Sequence, residues 1–169
     1  MNDEKQQRRP MSAAVSPFII HDSSFIVAFL AVLLPAAVLA HEHKPPHGGT
    51  LIVLQEEFAH LELALDAVTG KLTAWVLDGE AAQFVRVQQK EIQLRVRLAD
   101  KKEETVALKA VANLLTGETE GDTSQFEGAA AALKGVSRFG GVVVALTAKG
   151  KEFKDVSFRF PEGNDEARK

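Results

Sequence analysis

The chain has 169 residues, a formal net charge of -3 and no cysteine. Its 46% hydrophobic and 25% charged residues are those of one ordinary folded domain, not of a disordered or collagen-like chain. The missing thiols exclude disulfides, thiolate metal sites, Fe–S clusters and a Cys nucleophile, and the near-neutral balance gives no support to a nucleic-acid footprint, which needs a basic face.

Residues 25–40, FIVAFLAVLLPAAVLA, form an uncharged run of sixteen. A membrane span needs about 20 apolar residues. Lys5, Arg8 and Arg9 precede the run, and Val38-Leu39-Ala40 has the small side chains of a cleavage site. This is the pattern of a secretory signal peptide over residues 1–40, cut after Ala40. Met11 is an alternative start, Arg8-Arg9 an alternative twin-arginine pair, and an uncleaved N-terminal anchor the alternative to cleavage. Export implies a periplasmic or secreted location, with membrane contact only through an uncleaved signal segment.

Residues 41–49 form a His-rich segment, and residues 50–161 read as strands between turn signals. Thr50 to Leu54 is a β-rich apolar run. Phe58 to Leu65 alternates, with Ala59, Leu61, Leu63 and Leu65 on one face and Phe58, His60, Glu62 and Ala64 on the other. Lys71 to Leu77 is apolar on both faces and closes at Asp78-Gly79. Phe84 to Val87 is a short segment. Glu91 to Leu98 is the cleanest alternation, with Ile92, Leu94, Val96 and Leu98 inward. Thr105 to Val111 alternates more weakly, and Leu114 to Gln125 is a polar loop. Ser124 and Glu127 have capping-box spacing ahead of a helical turn over Ala129 to Leu133. Val142 to Thr147 and Glu152 to Phe160 make a hairpin about Lys149-Gly150. Residues 162–169 read as a flexible charged tail.

Strands at 8–12-residue spacing without a long amphipathic helix predict an all-β domain. The expected form is an antiparallel β-sandwich, immunoglobulin-like in size, with at most one short helix; a small barrel is the alternative.

The functional signal lies in the histidines. His41, His43 and His47 fall within seven residues, and imidazole suits Zn, Cu and Ni. Pro45-Pro46 stiffens the segment. A free amine at His41 would allow a planar nitrogen set with His43, suited to Cu(II), or a brace built on His41 itself. His60 and Glu62 share a strand face. If that face meets the N-terminal segment, both extend the ligand set toward a Zn-like N/O site. Otherwise they are polar groups on a partly exposed face, and the His cluster is a solvated tail. The expected metal residues are therefore His41, His43, His47, His60 and Glu62, and the expected ion is Cu or Zn. Glu56-Glu57 reads as a solvated charge cluster.

The stretch HKPPHGGTLIVL, residues 43–54, followed by Phe58 to Glu62, resembles small exported bacterial proteins with a His-rich PPHGG start. Residues 75–79 and 126–135 fit the same group. The start also resembles periplasmic adaptor segments of heavy-metal efflux systems and, at His41, small copper-binding β-sandwich proteins. These resemblances imply a periplasmic domain that handles transition metal, with an efflux or envelope protein as partner. The long helical hairpin of an adaptor is missing.

No G-x-S-x-G elbow, P-loop or G-x-G-x-x-G occurs, so no enzyme is expected. Three readings stand: metal sequestration or delivery, an envelope interaction module, and a copper redox enzyme using His41.

Overall fold

The computed structural model describes residues 43–164, all within the unit Leu39–Lys169. The expected signal peptide, its cleavage point and His41 lie outside the described residues. Eight strands follow in chain order: β1 (Thr50–Leu54), β2 (Ala59–Asp66), β3 (Lys71–Asp78), β4 (Glu91–Arg97), β5 (Glu103–Ala110), β6 (Gln125–Ala129), β7 (Phe139–Ala148) and β8 (Lys151–Phe160). Among the described residues no helix is long and apolar enough to cross a membrane.

The domain is all-β and antiparallel, as the alternation predicts. All eight strands join one sheet in the order β1-β2-β3-β6-β5-β4-β7-β8. β3, β6, β5 and β4 form a Greek key, with residues 79–90 as its long connection. The sheet wraps round a main core that draws on every strand, from Ile52 and Leu61 through Ile92 and Leu108 to Phe126, Leu146 and Phe158. The facing layers of a sandwich are thus parts of one curled sheet.

The two outer strands are closed off rather than left bare. After β8 the chain turns back, with Arg159 and Gly163 exchanging backbone hydrogen bonds. The Asn164 amide then donates to the Val53 carbonyl at 3.1 Å, and its oxygen accepts from the Val53 N–H at 2.7 Å. A side-chain amide here stands in for the peptide of a missing strand. It satisfies an edge that would otherwise template aggregation. A Cβ at Gly163 would come within 2.3 Å of the Leu51 carbonyl, so this approach requires glycine. Residues 162–164 therefore belong to the domain rather than to a loose tail.

The expected capping box does not form. Gln125–Ala129 is strand, and among the described residues helix is limited to a 3-10 turn over Ala131–Leu133 with no side-chain cap. Ser124 is instead spent on Glu118, which accepts from its N–H at 2.8 Å and its hydroxyl at 2.6 Å. The Thr116 hydroxyl also donates to Glu118. Burial alone would raise the Glu118 pKa, but these bonds and the charge of Arg86 outweigh it and hold the carboxyl below its usual range. A lowered folded-state pKa means stability that is present above the unfolded value and lost as pH falls through the folded one. Glu118→Gln should flatten the loss of stability below about pH 4.5, read by urea unfolding across pH 3 to 6.

Candidate functional site

β2 is buried on both faces. Its inward residues Ala59, Leu61 and Leu63 enter the core, and its outward residues His60 and Glu62 are 1% and 0% exposed. The partly exposed outer face foreseen as one alternative is therefore wrong for these two residues. Across the register, Val53, His60 and Leu77 form one outer row, and Leu51, Glu62 and Trp75 the next. Residues 43–49 and the 79–84 loop cover this face, where Leu51, Leu77 and Ala81 form a small second core.

The N-terminal segment is strapped down by Glu62. One carboxylate oxygen accepts the N–H groups of His47 and Gly49 at 2.8 and 2.9 Å. The other lies 2.9 Å from Nδ1 of His47. A carboxylate only accepts, so Nδ1 carries the hydrogen. The His47 ring stacks on Trp75 at 3.8 Å between centroids and 10° between planes. Gly49 is required here, because a Cβ would lie 2.8 Å from the Leu63 carbonyl and 3.0 Å from Glu62 Cγ. His47 and Glu62, both expected to bind metal, are instead engaged with each other.

The second pair is His43 with His60. Their ring centroids are 5.2 Å apart, tilted by 58°. Nδ1 of His60 is 2.9 Å from the Asp78 carbonyl. A carbonyl only accepts, so Nδ1 carries the hydrogen and Nε2 the lone pair. An outer hydrogen bond of this kind orients metal-ligating histidines. Burial pushes the His60 pKa down, with the Asp78 carbonyl opposing it, so the ring is neutral at neutral pH. Asp78 holds its own loop through the N–H groups of Ala82 and Gln83.

Glu57, absent from the expected ligand set, is the third member. Its Oε1 lies 3.5 Å from Nε2 of His43. The turn that carries it is strained. Gln55, Glu56 and Glu57 have φ of 45°, 46° and 64°, three successive non-glycine residues in the left-handed region. Such residues cost roughly 1–2 kcal/mol each, and a two-residue hairpin turn with positive φ normally uses Asn-Gly. Strain of this kind concentrates at functional sites. Packing against Gly79 holds the turn, since a Cβ there would lie 2.2 Å from the Glu57 carbonyl. Glu57→Gly should therefore leave stability unchanged or raise it by about 1 kcal/mol. Thermal melts of the two chains read the difference.

The five expected residues thus do not meet at one point. His47 and Glu62 make the strap, His43 lies against His60 and beside Glu57, and His41 lies outside the described residues. Among the described residues no three His, Asp or Glu side chains already stand at ligand geometry. In kind, the second group fits a borderline divalent ion. Two imidazoles on a tetrahedral ion, each bonded at about 2.0–2.1 Å, have ring centres about 5 Å apart. Glu57, 54% exposed, already has Oε1 within 3.5 Å of Nε2 of His43. Compared with known families, curated proteins and solved structures, the chain matches none.

Proposed function

We propose that this domain binds a divalent transition-metal ion between His43 and His60, with Glu57 as the oxygen donor, and serves its sequestration or delivery in the cell envelope. One observation carries the reading: two nearly buried imidazoles have ring centroids 5.2 Å apart, and one is oriented through Nδ1 by a backbone carbonyl. The resemblance to exported PPHGG proteins, and through them to metal efflux, belongs to the same proposal. So does export, which would make His41 a further donor two residues from His43.

The donor set narrows the ion. The two methionines are Met1 and Met11, and there is no cysteine, so the chain after residue 40 contains no sulfur. Cu(I) prefers thiolate and thioether donors, whereas imidazole and carboxylate suit Zn(II) or Cu(II). The inward turn of the His43 ring, 10% exposed, favours side-chain donors over a planar amide set wound on residues 41–43.

Ligating imidazole must be unprotonated. Zn(II) at a hundred times its Kd should stabilise the fold by about 2.7 kcal/mol at pH 7.5, and this gain should be smaller at pH 5, below the ordinary imidazole pKa of about 6.5, with the loss delayed at His60, whose pKa burial lowers. Thermal melts with and without Zn(II) at both pH values test this. An equal rise at pH 5 would exclude imidazole ligation.

A further inference from the structure

We infer a second, separate binding site: a groove on the outer face of β4, β7 and β8 that takes a small ligand with paired oxyanionic groups. The register builds it. Arg97 on β4 and Arg159 on β8 are both partners of Gly140 on β7, so two guanidiniums flank a residue with no side chain. One step along, Arg95 and Ser157 flank Val142. The resulting groove has a volume of about 570 Å³, is lined by Arg95, Arg97, Arg159 and Ser157, and is floored by Gly140 and Gly141. That is within the size range of small-molecule sites, roughly 300–1,000 Å³.

Its charge is out of keeping with the rest of the molecule. The chain has 20 basic and 23 acidic residues, yet three guanidiniums and one carboxylate, Glu103, line this groove. Arg95 is partly balanced by Asp155 at 3.5 Å. Arg97 and Arg159 make no ion pair with any described residue, and Glu103, the cross-strand partner of Arg97, stays beyond ion-pair distance. Like charges near each other on a sheet oppose folding, so the arrangement is one that a bound anion would relieve. Guanidinium forks match phosphate and carboxylate oxygens in bidentate fashion. Two strand spacings of about 4.8 Å separate β4 from β8, a span suited to two anionic groups rather than one. Gly140 keeps the floor open, because a Cβ there would meet nothing within 4 Å.

The test uses the full chain freed of metal by chelation and dialysis, which keeps it independent of the histidine site. Pyrophosphate and citrate are titrated calorimetrically at low salt into the wild type, Arg97→Gln/Arg159→Gln and Gly140→Val. The first variant removes the charge. The second fills the groove while keeping every arginine, and its space and backbone both accept a side chain. One-to-one binding of either anion at or below millimolar Kd, weakened at least tenfold by each variant, supports the site. The anion that binds tighter tells phosphate from carboxylate chemistry. Absence of binding by both anions, or affinity unchanged by either variant, overturns it. Thermal melts of the variants confirm that a loss of binding is not a loss of fold.

Discussion

Glu62→Ala is expected to cost about 3 kcal/mol of folding stability and to free the N-terminal segment from the sheet. The Glu62 side chain is fully buried and accepts three hydrogen bonds, all from the strap: two backbone N–H groups and the His47 ring. Removing it leaves those donors facing a cavity. Part of the loss is recovered because His47 is 35% exposed and its ring can turn to water. Denaturant unfolding gives the energy. Trp75, the only tryptophan, reports the strap, because the His47 ring lies flat against its indole. Its emission should change in Glu62→Ala under native conditions, and a protease should then cut within 43–49. A cost below 1 kcal/mol with unchanged emission would mean that Glu62 does not hold the segment.

The second large effect concerns metal affinity. His43→Ala and His60→Gln should each weaken Zn(II) binding about a hundredfold, close to 2.7 kcal/mol. The double variant should lose little more than either single one. Groups that share one ion act as a unit, so their losses do not add. His47→Gln should cost less than tenfold, because its Nδ1 is engaged by Glu62 and it acts on the ion only by holding the strap. Additive losses at His43 and His60, or a larger loss at His47, would divide the histidines into independent weak sites. His60→Gln is preferred to alanine because His60 is 1% exposed and a cavity would confuse affinity with folding.

Much of the fold is legible because strand alternation is a direct record of which side faces the core. Ile92, Leu94 and Val96 are fully buried and Gln93, Arg95 and Arg97 exposed, as their spacing predicts. The β7–β8 hairpin turns at Lys149-Gly150, where both residues have positive φ. What alternation cannot record is a second cover on the outside of a strand. His60 and Glu62 look like the wet side of β2 until residues 43–49 fold over them. The same segment explains why the histidines separate into two pairs. Local spacing places His43 and His47 on one short segment, but the positions of Glu62 and His60 across β2 decide which ring goes where. Glu57 was hidden for a different reason. A Glu-Glu turn with positive φ has no propensity signal of its own, and packing against Gly79 overrides the local preference. Ser124 and Glu127 have the spacing of a helix start, yet hydrogen bonding from Ser124 to the buried Glu118 outcompetes it. Asn164, which closes the sheet, sits in a run whose composition reads only as a charged end.

Calorimetric titration of Zn(II) and then Cu(II) into the metal-free chain tests whether His43 and His60 share one divalent ion. One ion per chain with submicromolar affinity is expected, weakened at least a hundredfold in the His43→Ala/His60→Gln double variant. Weak binding of several ions, unchanged in that variant, would contradict a shared ion.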